Sequence, residues 1–510
     1  MEPLIVVVSN RGPFSFKRKS DGTFNVLRGT GGLVTALGGL AEKHDVLWVA
    51  AALSKDDYLW LKSTDGKPQN VEGIFLQLMQ PKKKPYQYYY NVIANPMLWF
   101  IQHQLWDTVR NPSITQETWE AWNNGYVEIN KAFAQEVTNI VKDEERPVII
   151  LPQDYHLYLL PHFLRESLGE RVQIQPFIHI PWPGPDAWRI LPGQMRGFIL
   201  TSLLQSDRVG FQTQKDAFNF VQTCRFYLKD AHSRGSRNSI HYSGREVKAI
   251  AYPISVNTQK LNALGEEPET HLLKSQLINF VGDRKLILRV DRIEPSKNIL
   301  RGLEAYRTLL KIHPEHRGKV QMLALLVPSR MKVDEYKDYL KDIMAETGMI
   351  NADYSTPYWE PVRIMVGNNY ERAIAAMQFY DVLLVNPLAD GMNLVAKEGV
   401  LVNQKDGALV LSEDAGAYYE LGDQALTVSP FDTYGTANAI HTALTMPPEE
   451  KRKRAEKLRK IVMNADIRDW FYGQVDDAMR VLNTQSRNRA TPATSSTKKS
   501  ASSKTTDGVP

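Results

Sequence analysis

The chain carries a single cysteine, Cys224, in 510 residues. No internal disulfide can form, and the sequence reads as a protein of a reducing, cytoplasmic compartment. No stretch of about 18 uncharged apolar residues occurs, so no membrane span is expected. The N-terminus MEPLIVVVSNRG has neither a basic leader nor a long apolar segment. It reads as a first strand, not a secretion signal. Charge of one sign is also scarce. The net charge is +5, yet five basic residues against one acidic residue lie between Asn483 and Pro510, which accounts for four of those charges. The globular remainder is near neutral, which argues against a nucleic-acid groove. The tail RNRATPATSSTKKSASSKTTDGVP is nearly free of apolar residues and is expected to be disordered from 483 to 510.

Several chemical signatures are missing too. There is no Asp-x-Asp triplet of the kind that holds a divalent cation under a nucleotide diphosphate. There is no H-E-x-x-H or H-x-x-E-H pair, no G-x-x-x-x-G-K-S/T phosphate loop and no G-x-S-x-G elbow. Phosphate chemistry here would rest on basic side chains and helix N-termini. Neither a metal site nor a cofactor is expected.

What is present is a globular composition, 43% hydrophobic and 23% charged, in a chain long enough for two or more domains. Strand-length apolar runs fall at Leu4–Ser9, Val46–Ala51, Val148–Leu151, Ile174–Ile178, Arg208–Phe211, Lys248–Tyr252, Lys285–Val290, Gln321–Val327, Arg363–Val366, Val382–Asn386 and Ala408–Leu411. Helical patterns lie between them, among them Gly125–Val141, Leu300–His313, Lys332–Gly348 and Asn369–Phe379. This alternation predicts an α/β fold of parallel sheets with helices on both faces. The chain divides near YPISVN, Tyr252–Asn257, and a fresh series starts at Lys285. Two Rossmann-like domains facing across a cleft follow, residues 1–253 and 254–464. Ligands of such sheets bind beyond the C-terminal ends of the strands.

The run DGMNLVAKE, Asp390–Glu398, stands at such a strand end. A tight glycine turn opening a helix aims free N–H groups at one spot and suits an anion. Asp390 can accept hydroxyl hydrogen bonds, and Glu398 lies about two helical turns on. A carboxylate for hydroxyls, amides for phosphate and a carboxylate for a ribose describe a sugar-nucleotide site; an ordinary strand-to-helix turn has the same pattern. The loop RGTGG holds Gly31 and Gly32, which allow close approach to a phosphate. A dinucleotide fingerprint fits it poorly, because the third glycine is missing. PQDYHL places Asp154 and His156 at a cleft edge, where Asp154 equally suits a helix N-cap. His179 closes a strand before the ordered loop PWPGPDAWRILP. In RVDRIEPSKN, Arg292 and Lys297 could neutralise a leaving phosphate. Arg11 and Arg330 suit a phosphorylated acceptor. Tyr90 and Trp99 could pack on a sugar or belong to ordinary core.

Taken in order, SNR, the paired glycines, Y-N-x3-N-x3-W, DYHL, HIPxP, GFQT, YPI, R-x4-K, SR and DGMNLVAKE resemble the retaining glycosyltransferase family of trehalose-6-phosphate synthases, from about Val6 to about Val481. The resemblance implies the two-domain GT-B arrangement, with a last helix at about 465–482 crossing back to the N-terminal domain. It implies that Asp390 binds the donor glucose with the backbone of Gly391, Met392 and Asn393. The Leu394 and Val395 amides would hold the diphosphate and Glu398 the ribose. Gly32 would close over the donor, and Arg292 and Lys297 would stabilise the leaving group. Asp154 and His179 would orient the sugars, and Arg11, Tyr90, Trp99 and Arg330 would grip the acceptor. The implied reaction moves glucose from a nucleotide diphosphate to glucose 6-phosphate, forming α,α-trehalose 6-phosphate without a metal. Small molecules are the expected partners, with no nucleic acid or membrane; self-association is left open. Three departures stand out. Ala51 replaces a second tryptophan after Trp48, and HIPWPGPDAWRILP resembles the version in transferases that couple cyclitols. The segment Asn351–Ala373 is unusual, leaving UDP, GDP and ADP open. The rival readings are another phosphorylated acceptor, such as a cyclitol or glycerol phosphate, and a sugar-phosphate sensor without turnover.

Overall fold

A computed structural model describes residues 2–29, 44–331 and 333–490. The first apolar run forms β1 (Leu4–Ser9), buried at every position, as befits a central strand covered on both faces. An antiparallel hairpin follows, β2 (Phe14–Arg18) with β3 (Phe24–Arg28). Then come β4 (Val46–Ala51), β5 (Gln69–Val71), β6 (Ile74–Met79), β7 (Val148–Pro152) and β8 (Val172–Ile174). With β1 they make a sheet ordered β5-β6-β4-β1-β7-β8, parallel except for β5. A smaller sheet holds β9 (Phe177–Ile178), β10 (Arg208–Phe211), β11 (Ser239–Tyr242) and β12 (Arg245–Ala251), in the order β11-β12-β10-β9. A bridge between Gln153 and Phe177 joins the two.

The single strand expected at Ile174–Ile178 is thus two strands. Pro176 has no N–H to donate, so the ladder with β7 cannot run through it. The chain turns there from β7 to β10, and the Pro176 carbonyl accepts from the Gly210 N–H at 2.8 Å.

The third sheet holds β13 (Lys285–Arg292), β14 (Val320–Val327), β15 (Val362–Val366), β16 (Val382–Val385), β17 (Ala408–Ser412) and β18 (Leu426–Val428). It is wholly parallel, in the order β15-β14-β13-β16-β17-β18. Its strand order reverses between β13 and β16, and that of the first sheet between β1 and β7. Connections leave opposite faces at such points and open a crevice. The loops after these four strands carry Arg292 and Lys297, Asp390, Arg11, and Asp154.

The helix Ile467–Ala490 returns to the first half of the chain. Trp470 meets the Phe177 ring edge-on at 5.0 Å, and the Tyr252 hydroxyl donates to Asp477 at 2.7 Å. Arg208 pairs with the same carboxylate at 2.9 Å. One buried apolar cluster therefore runs from Ile5 and Val7 through Phe177 and Trp470 to Leu286 and Leu383. The helix extends to Ala490, so the boundary expected at 483 falls inside it. The remainder of the expected disordered segment lies outside the described residues.

Candidate active site

The site is built from the C-terminal strand ends of the two large sheets. β13 ends at Arg292, whose guanidinium reaches Glu294 at 3.2 Å. Glu294 is fully buried and also accepts from Arg330 at 3.2 Å and from the Ser329 hydroxyl at 2.7 Å. Burial alone would raise its carboxyl, but Arg292, Arg330 and Lys297 together hold it down at about 2. One buried carboxylate thus fixes two guanidiniums.

Lys297 follows in a single tight turn, Pro295–Lys297, and pairs with Asp390 beyond β16. Beneath this turn Arg289 pairs with Asp291 at 2.7 Å, donates to Asn386 at 2.7 Å and donates to the Lys297 carbonyl. A Cβ on Gly302 would lie 2.1 Å from that guanidinium, so glycine makes room for it. Burial raises the Asp390 pKa, but the Lys297 charge and hydrogen bond, with His103 and Arg292, together bring it below the ordinary carboxylate value.

Asn393 holds φ at +69° and caps the helix Leu394–Val402, accepting from the Ala396 N–H at 3.2 Å. Its amide donates to Asp390 at 3.0 Å. The first N–H groups of this helix, on Leu394 and Val395, have no intrahelical acceptor and make an anion seat. Glu398 lies farther along, accepting from the Tyr370 hydroxyl at 2.8 Å, with its pKa raised by burial. Gly391 presses on the opposite half: a Cβ there would stand 1.8 Å from the His179 carbonyl oxygen. Met392 is buried beside it.

From that opposite half, Asp154 follows β7 with φ at +71° and accepts the His179 N–H at 3.2 Å. Burial pushes its carboxyl up to about 6. The Asp154 side chain makes no helix-capping bond, so the N-cap alternative is set aside. His179 pairs through Nε2 with Gln153 at 2.9 Å, and burial draws it down to about 3, so its ring is neutral.

The acceptor-side groups meet around Arg330. Its guanidinium donates to the Tyr336 hydroxyl at 2.7 Å and crosses the cleft to the Tyr155 hydroxyl at 3.1 Å. It also lies 4.0 Å from the centre of the Trp99 ring. His103 stacks on the same indole at 4.0 Å, leaving Trp99 only 4% exposed. Trp99 thus holds Arg330 and offers little free ring to a sugar. Arg11 reaches the Tyr90 hydroxyl at 3.4 Å, and Tyr90 stacks on His156, which adjoins Tyr155. Gly31 and Gly32 lie outside the described residues.

The structure therefore brings Arg11, Tyr90, Trp99, Asp154, His179, Arg292, Lys297, Arg330 and Asp390 to one cleft, with Glu398 on the helix that Asn393 caps. It adds Glu294, Tyr155, Tyr336 and His103. Glu294 and Tyr155 sit inside motifs already noted, RIEPSK and DYHL, while Tyr336 and His103 carry no local signal. Chemically, cations and helix N–H groups face carboxylates that can take hydroxyls. That combination fits a sugar joined to a diphosphate.

Two parallel domains facing across such a cleft define a glycosyltransferase of the GT-B class. The chain belongs to glycosyltransferase family 20, whose model matches residues 3–480. It is 32% identical to the α,α-trehalose-phosphate synthase (UDP-forming) of Botryotinia fuckeliana, over 94% of this chain and 89% of that one. It is 32% identical to the enzyme of the same name from Candida albicans, over 89% and 92%. Among solved structures it resembles the trehalose-6-phosphate structure from E. coli bound with UDP-2-fluoro glucose, with a TM-score of 0.80, 28% identity and coverage of 93% and 98%. It also resembles the UDP-forming α,α-trehalose-phosphate synthase of Burkholderia xenovorans in complex with glucose-6-phosphate, with a TM-score of 0.79, 26% identity and coverage of 94% and 100%. Among the described residues no helix is long and apolar enough to cross a membrane.

Proposed function

We propose that the protein transfers glucose from UDP-glucose to glucose 6-phosphate with retention, giving α,α-trehalose 6-phosphate and UDP. The observation that carries this reading is the pair Arg292 and Arg330, both held by Glu294 at 3.2 Å. Arg292 and Lys297 both bear electrostatically on Asp390, where a diphosphate would depart. Arg330 lies toward Tyr155 and Trp99, where a sugar phosphate enters. The choice of UDP is supported by the UDP-forming relatives, and that of glucose 6-phosphate by the B. xenovorans complex.

In this reading Asp390 accepts donor hydroxyls while the Leu394 and Val395 amides hold the diphosphate and Glu398 takes the ribose. The acceptor C1 hydroxyl attacks on the face from which UDP leaves. The bond from donor C1 to the phosphate oxygen breaks, a new C1–O bond forms, and the hydroxyl proton passes to the departing phosphate oxygen. No side-chain base is needed. Arg292 and Lys297 meet negative charge as it grows, which stabilises the transition state more than the bound substrate. They supply the positive charge that a metal would otherwise bring, and we assign no metal or cofactor to the reaction. Asp154 and His179 orient the two sugars; Arg330 and Arg11 bind the acceptor phosphate, with Trp99 and Tyr90 positioning them. We assign the reaction to the cytoplasm, supported by the lone buried thiol of Cys224.

A second reading, in which the acceptor is a different phosphorylated polyol, rests on Ala51, which ends β4 without a ring. A kcat/KM matrix decides between them. UDP-, GDP- and ADP-glucose are paired with glucose 6-phosphate, a cyclitol phosphate and glycerol phosphate, all in EDTA. We expect UDP-glucose with glucose 6-phosphate to lead by at least about tenfold. Turnover confined to another acceptor would move the enzyme to the second reading. Sugar-nucleotide binding without turnover would make it a sensor.

A further inference from the structure

A histidine cluster lies at the far end of the C-terminal sheet. The helix Ile299–Ile312 ends at His313, and the turn Pro314–His316 leads into β14. His441 stands on the neighbouring helix Thr433–Thr445. The His313 and His441 rings stack with centroids 3.6 Å apart. Glu315 Oε1 lies 3.3 Å from His313 Nδ1 and 3.8 Å from His441 Nδ1. His316 Nε2 lies 3.0 Å from His441 Nδ1. One ligand atom from each of His313, Glu315 and His441 lies within 4.8 Å of the others. Ligand atoms bound to tetrahedral zinc at about 2.0–2.1 Å stand roughly 3.3 Å from one another. The distances in the cluster bracket that value.

We propose that His313, Glu315 and His441 bind one divalent transition-metal ion of the zinc class, with His316 beside His441 as a neighbour and not a ligand. Imidazole is largely neutral at pH 7 and is then a ligand. Two imidazoles and one carboxylate, with solvent in the fourth position, suit zinc, copper or nickel and not magnesium or calcium. The stacked rings lie nearly parallel, at 10°, so one imidazole must turn to aim its nitrogen at the ion. His313, Glu315 and His441 are half-buried or exposed and have space to do so. Lys285 is the nearby cation, but its ammonium donates to the Leu444 carbonyl at 2.6 Å, and Glu315 offsets its charge.

The ion would staple two helices together. It would stand about 23 Å from Arg292, the length of the eight-residue strand β13, and so outside the transfer chemistry. The proposal does not depend on the substrates named above.

The test uses the full chain, stripped with EDTA and desalted. Zinc chloride is titrated by calorimetry, and cobalt(II) is added to report geometry by its visible absorption. We expect one ion per chain, the intense cobalt spectrum of a four-coordinate site, and a melting temperature that rises with zinc. His313→Ala and His441→Ala should each weaken binding at least tenfold while circular dichroism shows an unchanged fold. His271→Ala, at an exposed histidine beside Glu266, should leave binding intact. No stoichiometric binding, or binding that survives both cluster substitutions, would overturn the proposal.

Discussion

Replacing Arg292 with alanine removes one of the two cations assigned to the leaving diphosphate. Its side chain is 48% exposed, and its acidic partner Glu294 keeps Arg330 and Ser329. The fold should therefore lose no more than about 1 kcal/mol. The cost falls on the reaction. Two unit charges about 4 Å apart at an effective dielectric constant of about 20 interact by about 4 kcal/mol. Solvent on the open side of the guanidinium reduces this to about 2–4 kcal/mol, or roughly 30- to 1,000-fold in kcat. The charge is needed most as the phosphate oxygen departs, so donor KM should stay within about threefold of the unaltered enzyme. The assay follows UDP release at saturating glucose 6-phosphate with UDP-glucose varied. A kcat within about threefold of the parent, or a loss carried wholly by KM, would refute the assignment.

Three other perturbations probe the rest of the site. Glu294→Gln removes the buried anion that fixes both guanidiniums. Its folded pKa of about 2 lies below the ordinary 4.5, so its stabilisation is complete above about pH 4.5 and is lost as pH falls through about 2. Denaturant melts at pH 7 should show a loss of roughly 3 kcal/mol that shrinks toward pH 2; equal stability at pH 7 would refute it. Gly391→Ala drives a methyl into the His179 carbonyl and separates the two loops, which should lower kcat/KM at least about a hundredfold in a folded protein. Unaltered kinetics would show that the close approach is not needed. Burial places the Asp154 carboxyl at about 6, and the ionised form that accepts hydrogen bonds from the sugar hydroxyls is populated above that pH. The rate should fall about tenfold per pH unit on the acid side, and Asp154→Asn should abolish that limb; an unchanged profile in the variant would refute the role.

The central strands were legible because each carries a short, mostly apolar run, as a parallel sheet covered on both faces requires, with only isolated polar residues such as Arg289 in β13 and Gln321 in β14. β2 and β3 escaped because FSFKR and FNVLR are short and mostly exposed, and FNVLR mixes apolar and polar residues on both sides. β18, of three residues, is too short to show a period. The break at Pro176 depends on where β10 lies, which local sequence does not tell. The donor side of the site was readable because Arg292, Lys297, Asp390 and Asn393 all sit at a strand end or in the short segment directly after it. The acceptor side was not. Arg330 meets Tyr155 across 175 residues of chain, and Glu294 becomes a clamp only when Ser329 and Arg330 arrive beside it. Trp99 reads in sequence as either a sugar platform or ordinary core, and Arg330 and His103 cover it.

The most direct test is the NMR structure of the product formed from UDP-glucose and glucose 6-phosphate in the presence of EDTA. An α,α-linked disaccharide phosphate should form in step with UDP. A β-configured linkage, UDP release with no disaccharide, or dependence on added metal would contradict it.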